Sequence, residues 1–124
     1  MISAYQVTGN THLVTATATS SEITITPTEA GFNFSGQRGP RYLKITNGSV
    51  DQNIYFSTGT TAQTAVIPTG DGANAGSCVV PAYAEVIVQV TSPSSYPATI
   101  HVACVAASSS PVYITPVVLA GNGN

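Results

Sequence analysis

Apolar and polar side chains alternate along this chain with a period of two, in short runs broken by Gly, Pro, Ser or Asn, and helical spacing is nowhere sustained. Successive side chains of an extended backbone point to opposite faces, so this period calls for strands with one buried side. Residues 12–19 read HLVTATAT, which puts Val14, Ala16 and Ala18 on one face and Leu13, Thr15, Thr17 and Thr19 on the other. Ile23 and Ile25 alternate with threonines, whose β-branched side chains suit strands. Phe32 and Phe34 in GFNFS repeat the pattern and are expected to anchor a core that has no Trp. Within RYLKITN (41–47), Leu43 and Ile45 oppose Tyr42, Lys44 and Thr46, and Asn47-Gly48 then supplies turn residues that tolerate positive φ. In NIYFS, Ile54 and Phe56 face inward.

The second half opens on a patternless, Gly-rich stretch, TGDGANAGS (69–77), expected to be a mobile surface loop. Beyond Pro81, which limits pairing in a sheet interior, Val86, Val88 and Val90 alternate in EVIVQVT. SPSSYP (92–97) reads as a turn, and TIHVACVAA puts Ile100, Val102, Cys104 and Ala106 on one face. A short strand is expected over 112–115, with the chain from Pro116 onward leaving as an arm and flexible tail. Eight or so short strands with regular turns predict one all-β domain over 1–124, a β-sandwich or barrel, with 1–11 as a candidate N-terminal arm and 117–124 as the C-terminal tail. The alternation leaves strand order open between a jelly roll and an immunoglobulin-like sandwich.

Charge narrows the partners. Only 6% of the 124 residues are charged, 3 basic and 5 acidic, against about 25% in an average soluble domain. Three basic residues cannot line a phosphate-binding groove or hold an anionic membrane, so neither nucleic acid nor membrane is an expected partner. At 43% hydrophobic content the chain is not of the disordered type, and no run of about 18 apolar residues offers a membrane span. Met1–Ala4 has neither the cationic start nor the apolar core of a secretory signal, so synthesis in the cytoplasm is expected. Two cysteines, Cys78 and Cys104, are too few for a disulfide framework and are expected to be buried thiols.

Residue supply also speaks against catalysis. The carboxylates Glu22, Glu29, Asp51, Asp71 and Glu85 are scattered, with no local pair for acid–base work. His12 and His101 are the only imidazoles, no nucleophile-elbow sequence accompanies them, and each is expected on the polar side of a strand. His101-x-x-Cys104 has metal-like spacing, yet residues three apart on a strand face opposite ways. Asp71 lacks the acidic partners of a calcium loop, and the glycines around it lack the Lys-Ser/Thr ending of a phosphate loop. No catalytic residue, cofactor or metal is therefore expected. Asn47-Gly48-Ser49 fits a glycosylation sequon but reads better as a turn.

One cluster stands out: Arg38, Arg41 and Lys44, all the basic residues, lie within seven positions and form a candidate docking spot for an acidic partner surface. From Arg41 on, the order RYLKITN, IYFSTG, Gly-rich loop, VPAYAEV, IHVACV and VYITP resembles small tailed-bacteriophage virion proteins. That resemblance covers roughly residues 41–123 and rests on the order of its pieces. It implies a jelly-roll-like sandwich acting as a capsid decoration, or cement, protein on the outer surface of the virion. The major capsid protein would be its partner, self-association would give dimers or trimers, and the N-terminal arm would reach the capsid or a sister subunit. The alternative is a glycan- or receptor-binding β-sandwich on a virion or cell surface, for which the absence of Trp leaves few stacking platforms.

Overall fold

The computed structural model describes residues 5–7, 9–26, 41–70, 77–91 and 99–119. Among them run nine strands: β1 (Tyr5–Val7), β2 (His12–Ala16), β3 (Ser21–Ile25), β4 (Arg41–Asn47), β5 (Ile54–Gly59), β6 (Cys78–Val80), β7 (Glu85–Thr91), β8 (Ile100–Ala106) and β9 (Ser110–Leu119). They form two antiparallel sheets. One has the order β2-β9-β4-β7, with β1 continuing along β9 beyond β2; the other has the order β3-β8-β5-β6. From β2 to β9 each strand crosses to the opposite sheet except at the β5–β6 step. That winding is the jelly roll, and it settles the order that alternation leaves open.

The core lies between the sheets. Val14, Leu43, Ile45, Val112 and Ile114 come from the five-stranded sheet and meet Ile25, Ile54, Phe56, Ile100 and Val102 from the four-stranded one. Each is buried, and burying a side chain of this size contributes roughly 1.5–3 kcal/mol. These are the inward residues that the period of two selects. Ala18 is the exception: β2 ends at Ala16, the Ala106 N–H bonds the Thr17 carbonyl at 2.9 Å as the chain crosses sheets, and Ala18 is exposed.

Two boundaries differ from the expectation. β9 does not stop before Pro116 but runs ten residues to Leu119, so residues 117–119 belong to a strand and not to a tail. Tyr5–Val7 pairs with Leu119–Val117, so this part of the expected N-terminal arm lies along the chain's own sheet. Proline is tolerated because Pro116 faces the gap between β1, whose pairing ends at Val7↔Val117, and β2, whose pairing begins at His12↔Ile114. No ladder hydrogen bond is lost on that side.

Cys104 is buried, as expected, and burial pushes its thiol up to about 11. Cys78 is exposed at the edge strand β6, contrary to expectation. The two flank Phe56 from opposite sides, in the registers Phe56↔Cys78 and Phe56↔Cys104. Two strand spacings separate them, about 9–10 Å, too far for a disulfide, and both are free. Phe32, Phe34, most of the Gly-rich loop, the 92–97 turn and residues 120–124 lie outside the described residues.

Candidate functional site

The two outer faces of the sandwich differ. On the five-stranded sheet, one outward row across β2, β9, β4 and β7 reads Leu13, Tyr113, Thr46, Glu85, while farther along β9 the outward Thr115 and Val117 are buried. Leu13 is 63% exposed and Tyr113 41%, large apolar side chains open to solvent. The neighbouring row holds Thr115, Lys44 and Ile87, with Thr11 and Thr115 sharing a hydroxyl–hydroxyl hydrogen bond of 2.7 Å.

Of the expected docking trio, Arg38 lies outside the described residues and Arg41 opens β4 opposite Thr91. Lys44 points away from the core, its Nζ 3.7 Å from Glu85 Oε1. The register Thr46↔Glu85 brings this acid diagonally beside it. A pair this exposed contributes at most about 1 kcal/mol, but it partly neutralises the positive spot that the bare sequence suggests.

On the four-stranded sheet the outer side of β8 is covered, while Val79 on the edge strand β6 is 47% exposed. Ala103 and Val105, on the side of β8 away from the core, are 0% and 3% exposed, because residues 60–67 cross over them and pack Ala65 and Ile67 against them. Hydrogen bonds fasten this strap. The Gln63 N–H donates to Glu22 Oε2 (2.6 Å), the Ala65 N–H to Ser20 Oγ (3.0 Å) and the Val66 N–H to Ser77 Oγ (3.0 Å). Ser57 Oγ–H donates to Gln63 Oε1 at 2.5 Å. Gly59 permits that approach, since a Cβ there would lie 2.5 Å from Gln63 Nε2. An open groove of about 490 Å³ runs between the strap and the β2–β3 turn, lined by Ser20, Glu22, Gln63, Ala65 and Val105 among others.

Glu22 is the chemically distinctive group there. The Gln63 N–H holds its carboxyl below the ordinary value of 4.5; partial desolvation opposes this, and His101 reinforces it. His101 Nδ1 sits 3.3 Å from Glu22 Oε2 yet makes no hydrogen bond. A carboxylate held ionised is a poor general acid, and its oxygen is already engaged by the strap, so the arrangement fits a latch better than a catalytic pair. His12, expected on the polar side, instead shares the inward parity of Val14 and lies opposite Ile114, its Nε2 buried without a partner. His101 and Cys104 do fall on opposite faces of β8. Among the described residues no three His, Cys, Asp or Glu converge.

A third region lies at the end of the sheets where β4 stops. Asn47 is fully buried; its Nδ2 donates to the Gln52 (2.7 Å) and Val80 (2.9 Å) carbonyls while Oδ1 accepts from the Ser49 N–H (2.9 Å). These bonds make Asn47 a turn organiser, in keeping with the turn reading of the Asn-Gly-Ser triplet. The adjacent β6–β7 turn closes with an Ala84 N–H to Pro81 carbonyl bond of 3.0 Å and puts Tyr83 at φ 61°. That is the third position of a type II turn, normally Gly or Asn; for an L-residue the left-handed region costs roughly 1–2 kcal/mol. Neither the strap nor this turn was visible in the alternation. The one available hint for the strap is the nearly continuous apolar run TIHVACVAA, the pattern of a strand buried on both faces.

Comparison with protein-family models, with curated proteins and with solved structures returns no match.

Proposed function

We propose that this chain is a decoration, or cement, protein of a phage virion, made in the host cytoplasm and carried on the outer surface of the capsid. The carrying observation is the contrast between the two outer faces. On one the chain's own strap buries Ala103 and Val105, while one end of the other leaves Leu13 and Tyr113 exposed beside Thr46 and the Lys44–Glu85 pair. An apolar centre with a polar rim is the make-up of a protein–protein interface. Low charge suits close packing beside like copies, and many modest contacts on a closed shell add up through multivalency. The major capsid protein is the proposed partner, with copies of the chain associating as dimers or trimers and Arg38, Arg41 and Lys44 directed toward acidic shell residues.

Co-sedimentation with purified capsids tests this. Hundreds of copies per particle fit a cement protein, and a handful would instead point to a fibre or vertex part. Replacing Arg38, Arg41 and Lys44 together by Ser should lower occupancy; unchanged occupancy counts against their docking role. The groove beside Glu22 and Gln63 favours a second reading, a glycan- or receptor-binding domain, although its Glu22 and Ser20 oxygens already hold the strap. A glycan array separates the two, since a cement protein should give no hits.

A further inference from the structure

Asn47 and Gly48 are each called for by the packing at the end of β4, for different reasons. Asn47 is fully buried, and its side-chain amide donates to the Gln52 (2.7 Å) and Val80 (2.9 Å) carbonyls while accepting from the Ser49 N–H (2.9 Å). Gly48 has no room for a side chain, since a Cβ there would lie 2.9 Å from the Tyr113 ring and 3.2 Å from the Pro111 ring. The fold thus sets side by side two residue types that react readily with each other. In an Asn-Gly pair no Cβ shields the glycine nitrogen, which attacks the asparagine side-chain carbonyl carbon. The bond from Gly48 N to Asn47 Cγ forms, the Cγ–Nδ2 bond breaks, and Nδ2 takes up the glycine proton and leaves as ammonia. Water then opens the cyclic imide at either carbonyl, giving aspartate, or isoaspartate with the main chain routed through Cβ.

In the folded chain every reacting atom is engaged. The Gly48 N–H donates to the Pro111 carbonyl at 2.9 Å, Nδ2 directs its hydrogens at two carbonyls, and Asn47 is shut off from the water that carries the proton and opens the imide. The Asn47 N–H is held as well, by the Ala84 carbonyl at 2.9 Å, so the backbone is not free to rotate toward its own side chain. Neither product fits this place. A carboxylate has no donor, and its oxygen would face the Gln52 and Val80 carbonyls where two N–H bonds had been. Isoaspartate adds a carbon to the main chain between the Asn47 and Gly48 nitrogens, whose bonds to Ala84 and Pro111 tie the end of β4 to the chain on both sides of it.

We infer that Asn47-Gly48 is a latent deamidation site: closed in the fold, it converts once the end of β4 opens, and the converted chain cannot rebuild the turn. Opening of this end of the sandwich thereby becomes irreversible through chemistry. The inference is independent of the capsid reading and of any partner.

The test holds the full wild-type chain in mildly alkaline buffer, with and without guanidinium chloride, and reads conversion at residue 47 by peptide mass spectrometry. In denaturant Asn47 should convert at a rate comparable to Asn122, the other asparagine that precedes a glycine. In native buffer it should convert at least tenfold more slowly than in denaturant. An Asn47 that stays intact in denaturant overturns its reactivity, and less than tenfold protection in native buffer overturns the closed site. When a half-converted sample is diluted out of denaturant and fractionated by size, the compact fraction should hold unconverted Asn47. Converted chains present there in the same proportion as in the mixture overturn the block on refolding. Asn47→Asp should melt well below the wild type or fail to fold, and an unchanged melting temperature overturns the same point.

Discussion

The strapped face of β8 and the open face of β9 begin from similar strands and end in different environments. Both strands are central in their sheets, with inward residues that fill the same core. On the far side, β8 carries Ala103 and Val105, small and apolar, and a crossing segment buries them. The far side of β9 carries Tyr113, amphipathic and 41% exposed, at one end and the buried Thr115 and Val117 beyond it. Outward residues that are all apolar call for a cover from the chain itself, whereas a tyrosine set among threonines can stand in water and still serve an interface.

A charge placed on each face gives the largest separation. Ala103→Asp would put a carboxylate under the strap with no counter-charge, and should cost about 3–5 kcal/mol in urea or thermal unfolding. Tyr113→Asp puts the same group in solvent and should cost about 1 kcal/mol. Equal losses would show that the open face is as buried as the strapped one and would remove the contrast.

Glycine substitutions sharpen it at a smaller scale. Gly59→Ala places a Cβ 2.5 Å from the end of the Gln63 side chain, which must swing away and give up its bond to Ser57. About 1 kcal/mol should be lost, with faster amide exchange at Gln63 and Ala65. Gly48→Ala pushes on the Tyr113 ring at 2.9 Å, with Pro111 close behind. The ring borders solvent, so it should move outward, changing tyrosine near-ultraviolet dichroism while the exchange of strap amides stays as it was. Disturbed strap amides in Gly48→Ala would mean that the two faces are coupled through the core.

The inward residues were legible because a buried side of each strand repeats every second residue: Leu43 and Ile45, Ile54 and Phe56, and Ile100, Val102, Cys104 and Ala106 all lie where the period of two puts them. What was not legible depends on tertiary neighbours. The strap sequence TTAQTAVI has no period, and its Ala65 makes sense only against the outer side of β8. Pro116 looks like a strand end until the gap between β1 and β2 is seen opposite it. The basic cluster is visible in the chain, but the Lys44–Glu85 pair comes from the register of β4 on β7. Tyr83 carries no signal at all, since PAYA lacks the Gly or Asn that would announce a left-handed residue.

The smallest effect concerns the latch of the strap and is read by pH. The Gln63 N–H bond, with His101 beside it, lowers the Glu22 carboxyl from its ordinary value of 4.5. A group whose pKa is depressed by folding stabilises the fold above its unfolded value, and that contribution fades as pH falls through the folded value. Strap protection should therefore be steady from neutral pH down to about 4.5 and decline below it. Protection factors at Gln63 and Ala65, corrected for intrinsic exchange, should show the decline, while those of β9 on the open face should not. Glu22→Gln keeps an acceptor oxygen without the charge and should flatten the profile. A decline that persists in Glu22→Gln would assign the acid sensitivity of the strap to a group other than Glu22.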